Sequence, residues 1–555
     1  MSRTEVTHEA TVAPEQGRTL VEVGAAAALA LVPFLWRVAA GTRRLPNDDT
    51  WAYERILDTF VATGRIELID WNDITLLGML PLARVWTAIV GDGTLQIHLL
   101  GSVMGFVVLM ALRDLLRTLA SRHVLLVMCS VGAFSGFVVT TGTFMSDLFA
   151  LAGSMVALAA AARLAARPHA ASSTALHLAV AIAASAFAFS VRQQAAVAIG
   201  VSGLLLLVAR SRARWSWLIM GVGFAAIAGP FYLWRAGLEH GGGVIVLFNS
   251  RLILASWVLM GLGLCLGLLP MALRRGGTEL RGSLTARLVV SVLVAIAAAA
   301  GSPTDLVNDY LSIMRWLAEL GVVGRVVAAV VLANVVLTVL FGAAARRIDV
   351  RDPLQLGLAL GAAVALLADV VVIFLSSDFY SRYSLFTLSL LLALWSCSTR
   401  APSTSRPDLR RRQALAWGAL AVTGLAALWT LDRAQTPVRV REELADVAAC
   451  LGVPAEELDA GLVWMGMHTD GIAVSRFRDQ PLIEDGLPPT QHHRVFPDVE
   501  RRAVVLEDEP PPSDAYTVVG PYERSGLLPG NGAMGWLVVR GDVTEDADAC
   551  IRGSG

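Results

Sequence analysis

Asn47-Asp48-Asp49-Thr50-Trp51-Ala52-Tyr53-Glu54-Arg55 is the stretch from which the reading of this chain starts. It directly follows the first long apolar segment, so two adjacent carboxylates stand where the chain leaves a membrane. Paired acids near a bilayer surface carry a desolvation cost and raised pKa values, which suits proton transfer. The same pair is common in ordinary polar loops, so its meaning depends on what surrounds it.

The surroundings are a membrane scaffold. The 555 residues are 55% hydrophobic and only 16% charged, against about 25% charged in a soluble domain. All the basic residues are Arg, with no Lys, and the net charge of −1 excludes the broad basic surface that nucleic acid requires. Met1 to Arg18 is polar, lacks the basic start and cleavage site of a signal peptide, and reads as a short flexible cytoplasmic tail.

A span needs roughly 17 to 25 mostly apolar residues. Qualifying segments begin near Thr19, Thr94, His123, Asp147, Thr174, Gln193, Trp215, Arg251, Ala286, Gly321, Leu354, Tyr383 and Gln413, which makes about thirteen. Arginine placement orients them. One set of alternate loops carries twenty arginines, from Arg113, Arg117 and Arg122 through to Arg410, Arg411 and Arg412, against six on the opposite set. The rich side is cytoplasmic, so the N-terminus lies inside. The loop with Asp48 and Asp49 (about residues 40–93) and the C-terminal region then lie outside. Arg43 and Arg44 run against this pattern locally, and twelve later spans outvote them. Ile74 to Val90 contains Pro81 and Arg84 and reads as an interfacial helix on the outer leaflet, with Trp51 to Val61 a weaker second one.

Three further outer positions carry chemistry. Asp147 follows Thr143-Phe144-Met145-Ser146 at a helix start, where an acid also serves simply to cap the helix. Arg192, with Gln193 and Gln194, offers a planar fork of donors for a phosphate; an outer arginine also contacts lipid headgroups. Asp378, Tyr380, Arg382 and Tyr383 combine acid, hydroxyl and guanidinium before the next helix, a pattern shared with aromatic membrane anchors. Asp305, Asn308 and Asp309 suit capping of a short helix over 310–320. Asp369 lies inside a span, where an ionisable group needs a neighbouring helix or a function. No HExxH, Walker-type or CxxC motif occurs, and Gly241-Gly242-Gly243 reads as a flexible loop. His492-His493 is either a metal pair or two surface histidines.

From about Thr436 charge and proline rise, and Ala503-Val504-Val505-Leu506, Trp536-Leu537-Val538-Val539 and Gly461-Leu462-Val463-Trp464-Met465 read as strands. Pro437 to Cys450 reads as helix. Residues 436–555 are expected to form a small α+β domain outside the membrane. Cys450 and Cys550 are its only cysteines; an outer location permits a disulfide between them, which sequence leaves open.

The order Asp48-Asp49-Thr50-Trp51-Ala52-Tyr53, Thr63-Gly64-Arg65-Ile66, Asp70-Trp71, Thr143 to Asp147, Arg192-Gln193 and Arg382-Tyr383 resembles the bacterial family 39-like glycosyltransferases of the GT-C fold. Their relatives are the protein O-mannosyltransferases and the lipid A aminoarabinose transferases. The resemblance covers roughly Thr19 to Leu431. It implies an all-α polytopic GT-C membrane protein that takes a sugar from a polyprenyl phosphate and passes it, with inversion, to a glycan, lipid or protein acceptor outside the plasma membrane. The family pattern has Tyr four residues after the catalytic Asp. Counting back from Tyr53 selects Asp49; the family's acid-acid or Asp-Glu pair is here Asp-Asp, with Glu replaced, which leaves Asp48 as its rival. Arg192, Gln193, Arg382 and Tyr383 would hold the donor phosphate, with Tyr53 and Asp147 nearby, and a divalent metal stays open because no ligand set stands out. A flippase for a lipid-linked sugar is the competing class; it should show internal repeats and polar groups at the midplane, and no repeat is seen. A glycan polymerase or ligase shares the substrate class and topology.

Overall fold

The computed structural model describes residues 9–42, 49–69, 76–166, 171–209, 215–236, 250–275, 334–339, 348–376, 381–397, 406–469, 485–490, 493, 495–496, 498–541 and 549–551. Asp48, Arg43, Arg44, Asp70, Trp71, Gly241 to Gly243, the expected spans near Ala286 and Gly321, the segment with Asp305, Asn308 and Asp309, the helix expected over 310–320, Asp378, Tyr380 and His492 lie outside the described residues.

The described chain is mostly helical. In order it forms α1 (Glu9–Ala40), α2 (Thr50–Thr63), α3 (Met79–Val90), α4 (Thr94–Thr118), α5 (Val124–Gly132), α6 (Ser135–Thr140), α7 (Ser146–Ala166), α8 (Ala171–Val191) and α9 (Ala196–Val208). It continues with α10 (Ser216–Ala236), α11 (Ser250–Arg275), α12 (Pro353–Ser376), α13 (Leu385–Cys397), α14 (Arg406–Cys450) and α15 (Leu462–His468). Seven of the described helices are long and apolar enough to cross a membrane, and four shorter apolar helices accompany them. Leu20, Leu35, Leu233, Leu367 and Leu425 are each more than half exposed. Large apolar side chains facing outward along long helices suit a lipid solvent, in which each helix satisfies its own backbone.

Three local expectations change. The helix reaches back to Glu9, where a flexible tail was expected; once a long helix is nucleated, adding good helix formers such as Ala10, Ala13 and Gln16 is cheap. The segment from His123 is two short helices broken at Ala133 and Phe134 rather than one span. Gly461 to Met465 is not a strand: α15 occupies Leu462–His468, with Trp464 stacked on His468 four residues later, ring centroids 4.1 Å apart. A short apolar run has no periodicity of its own, so tertiary partners decide its state.

Helix α7 sits at the centre of the bundle, in contact with α4, α8 and α9. Its sequence, SDLFALAGSMVALAAAARLAA, is rich in Ala, Gly and Ser, which lets neighbouring backbones come close. Gly101 on α4 serves the same end: a Cβ there would overlap the Thr143 carbonyl, so only Gly lets the turn before α7 lie flat on α4.

Beyond the bundle, α14 runs without a break through residues 435 and 436, where the domain boundary was expected, and ends at Cys450. Its last turns carry Val440, Leu444, Ala445 and Val447 against a four-stranded sheet in the order β1-β2-β4-β3. The strands are β1 (Leu458–Asp459), β2 (Ala503–Leu506), β3 (Tyr516–Ser525) and β4 (Gly532–Arg540). β1 pairs parallel with β2, and the other pairs are antiparallel, with Ala503 opposite Val539 and Val505 opposite Leu537. Cys450 is disulfide-bonded to Cys550, Cα atoms 5.9 Å apart. Beneath the sheet, buried Arg501 donates to Asp485 from Nε (2.7 Å) and Nη2 (3.0 Å) and reaches Asp459 at 3.4 Å.

Candidate functional site

The site gathers where four chain segments end at one level of the bundle. The first is the start of α7. Thr143 donates from Oγ1 to the Thr140 carbonyl (2.6 Å), closing the turn that Gly101 admits, and α7 begins at Ser146 with Asp147 in its first turn. An acid there complements the unpaired N–H groups of the helix end. That placement also turns the Asp147 carboxylate, 7% exposed, towards two arginines.

Those arginines come from the ends of other helices. Arg192 follows the last residue of α8 with an extended backbone (φ −149°, ψ 121°), which breaks the helix and turns its side chain towards α7. Its Nη1 donates to Asp147 Oδ1. Arg382 lies in the 3-10 turn Ser381–Ser384 ahead of α13, and its Nε stands 3.3 Å from Asp147 Oδ2. Tyr383 lies between the two: Arg192 Nη2 donates to its hydroxyl (3.4 Å), and the guanidinium carbons of Arg192 and Arg382 lie 5.1 and 5.4 Å from its ring centre. One carboxylate, Asp147, faces two guanidiniums, whose side chains are only 13% and 8% exposed.

The fourth segment is α2. Asp49 is its N-cap residue, yet the carboxylate makes no capping bond to the helix backbone. Tyr53, four residues on and so on the same face, is buried and accepts a hydrogen bond from Ser146 Oγ (3.4 Å). Burial first, and then the charge of Asp49, push the Tyr53 phenol up to about 12, against the pull of Arg192, Ser146 and Arg382. The phenol therefore stays protonated at neutral pH, and it feels Asp49 and both arginines at once. A third side of α2 is pinned by buried Glu54, which takes His98 Nε2 at 3.0 Å and Thr94 Oγ1 at 3.3 Å from α4.

Asp49, Tyr53, Asp147, Arg192, Arg382 and Tyr383 thus share one site, whereas Asp48 is outside the described residues. Gln193 differs from expectation: Gln194, not Gln193, lines the adjoining cavity, while Gln193 Nε2 is buried with no acceptor among the described residues. The cavity, about 100 Å³, runs from Asp147, Arg192 and Arg382 inward between α7, α9, α12 and α13. Its floor carries Asp369, which accepts a 2.7 Å hydrogen bond from Thr387. Gln194 was named in sequence beside Arg192, whereas Ser146 and Thr387 were given no role of their own. Ser146 had a signal in its place beside Asp147; Thr387 had none, being one hydroxyl among many in apolar helices.

Among the described residues no group of three or more His, Cys, Asp and Glu side chains is gathered as metal ligands. His493 is neither a surface residue nor poised for a metal: it is buried, and its Nε2 pairs with the Val499 carbonyl (3.1 Å).

The sequence matches no family description and no characterised relative. In structure the chain is similar to ArnT from Cupriavidus metallidurans in the apo state, at 17% identity over 82% of this chain and 84% of that one, TM-score 0.39. It is similar also to ArnT from the same organism bound to undecaprenyl phosphate (17%, 82% and 85%, TM-score 0.38). A further similarity is to the archaeal oligosaccharyltransferase AglB from Archaeoglobus fulgidus in complex with an inhibitory peptide and a dolichol-phosphate (11%, 88% and 69%, TM-score 0.43).

Proposed function

We propose that this multi-pass membrane protein is an inverting glycosyltransferase that moves a sugar from a polyprenyl-phosphate donor to an acceptor at the outer membrane face. The observation that carries the proposal is the pair of part-buried arginines, Arg192 and Arg382, converging on one carboxylate above a cavity cut into an apolar bundle. Two guanidiniums side by side suit a phosphodiester, and a lipid reaches such a place from the bilayer side. The arginine asymmetry of the loops supports a cytoplasmic N-terminus, with residues 436–555 as an outer domain, and the Cys450–Cys550 disulfide agrees with an oxidising compartment.

In this reading Asp49 orients the acceptor hydroxyl and takes its proton as the acceptor oxygen attacks the anomeric carbon. The bond from that carbon to the phosphate oxygen breaks on the opposite face, inverting the centre. The electron pair leaves on the lipid phosphate, where Arg192 and Arg382 offset the developing charge. Asp147 holds both arginines in place beforehand. Tyr53, kept protonated, is a hydrogen-bond donor beside the base.

The test is purified protein with tritiated polyprenyl-phosphate sugars and envelope membranes as acceptor. Asp49→Asn is expected to lose transfer by about 10²- to 10⁴-fold while still binding the lipid phosphate. Asp48→Asn should retain most of it. Undiminished transfer in both variants sinks the mechanism, and transport without sugar release favours the flippase.

A further inference from the structure

Helix α2 has two working faces. Asp49 and Tyr53 are four residues apart and share one; Trp51 and Arg55 are also four apart and, at about 100° per residue, lie nearly opposite. The first face meets Ser146 and the arginine site. The second meets α15 of the C-terminal domain, 411 and more residues away in sequence.

That second contact is close and specific. Trp51 is fully buried against Met465, Val495, Phe496 and Val499, its ring centre 5.8 Å from that of Phe496. A Cβ on Gly466 would overlap the Trp51 indole, so the ring lies flat on the α15 backbone at the one residue that admits it. The indole N–H has no acceptor among the described residues, so packing rather than hydrogen bonding fixes the ring. Arg55 then donates from Nη1 to the carbonyls of Gly466 and Thr469, both 3.3 Å away, at the negative end of α15. α15 is itself anchored: Trp464 Nε1 donates to the Ala455 carbonyl (3.0 Å), and the Gly461 N–H donates to Asp459 Oδ1 (3.1 Å) at the end of β1.

We infer that the C-terminal domain is a positioning element of the transfer site: through Trp51 and Arg55, α15 sets the height and rotation of α2, and with them where Asp49 and Tyr53 stand over the phosphate cluster. This rests on the role proposed for Asp49. Asp147, Arg192 and Arg382 are held by α7, α8 and the turn before α13, none of which needs α15. Loosening the α15 contact therefore separates chemistry from donor binding. Misplacement of a reacting group by about 1 Å costs on the order of 100-fold in rate.

The experiment uses the full-length protein with Arg55→Ala, Gly466→Ala and the double variant Gly466→Ala/Trp51→Leu, which makes room for the added methyl. Hydrogen exchange over residues 50–63, affinity for undecaprenyl phosphate, and turnover against donor KM are read for each. Arg55→Ala and Gly466→Ala should speed exchange in α2 while leaving β2 and β4 protected, lower kcat about 100-fold, and leave donor KM and undecaprenyl-phosphate affinity near wild type. The double variant should recover part of kcat, and Arg55→Lys should recover more than Arg55→Ala. Unchanged α2 exchange, exchange that spreads through the whole C-terminal domain, or loosened α2 with normal kcat each overturns the inference. A wild-type protein that transfers no sugar fails the donor reading instead, and the exchange pattern then decides the positioning role alone.

Discussion

Changing Asp147 to Asn removes one charge from a cluster in which that charge meets two guanidiniums, one of them 3.3 Å away. The three side chains are 7%, 13% and 8% exposed, so water screens them poorly. At an effective dielectric near 20, unit charges about 4 Å apart interact by about 4 kcal/mol. Removing one partner of a buried pair costs about 3–5 kcal/mol, because the remaining charge is left uncompensated. The ligand-free Asp147→Asn protein should therefore be less stable than wild type by about that amount. Binding should move the other way. A phosphate resting between Arg192 and Arg382 would stand roughly 6 Å from Asp147, a repulsion of about 3 kcal/mol at the same dielectric, or ~100-fold in Kd. Undecaprenyl phosphate should thus bind Asp147→Asn more tightly and raise its melting temperature more than it raises that of wild type. Undecaprenol, which lacks the phosphate, is the control and should raise neither. If the variant is destabilised and also binds the lipid phosphate more weakly, Asp147 is an integral part of the phosphate cradle and the counter-ion argument fails. If undecaprenol protects as well as the phosphate does, the arginines are not reading a phosphate at all.

Arg192→Lys keeps the charge but loses the fork that reaches Asp147 and Tyr383 together, so undecaprenyl-phosphate affinity should fall by about 1.5–3 kcal/mol in a direct binding assay. Cys450→Ser opens a crosslink that spans 100 residues and should destabilise the C-terminal domain by about 2–5 kcal/mol, read as faster amide exchange in β2 and β4. Acid should loosen the same domain in two stages. Burial and Arg501 hold His493 below its ordinary value, so the unfolded chain takes up that proton first and stability declines as pH falls below about 6.5. Burial raises Asp485, but the hydrogen bonds and charge of Arg501 more than reverse this and leave it low, so its contribution is present above about pH 4 and lost below. A pH series of exchange rates checks both stages, and His493→Gln should abolish the first alone.

The parts legible in sequence are those that a solvent imposes everywhere. A bilayer demands long apolar helices, and seven such helices stand among the described residues. Strands over 503–506 and 536–539 were readable as short unbroken apolar runs because both faces are covered, Ala503, Val505, Leu537 and Val539 on the side of α14 and Val504 and Val538 on the side of Leu487. The break at Phe134 and the helix at Leu462–His468 were not readable, since each depends on partners far away in the chain. For α15 those partners are Trp51 and Arg55, more than 400 residues earlier.

The candidate site divides along the same line. Asp49, Asp147, Arg192 and Arg382 could each be found as a charged side chain at the end of an apolar segment, because such positions are few in a chain with 16% charge. What no single segment carries is their mutual arrangement. Asp147 read alone is a helix-capping acid, and Arg192 read alone is a headgroup contact; only together with Arg382 do they become a charge cluster. That convergence of two guanidiniums on one carboxylate exists in the geometry and not in any motif. The same holds for α2: its sequence alternates Asp49, Trp51, Tyr53 and Arg55, and that alternation has meaning only when a bundle lies on one side and a folded domain on the other. A helix held from both sides explains why an apolar Trp and a cationic Arg stand directly beside the acid proposed to act as base.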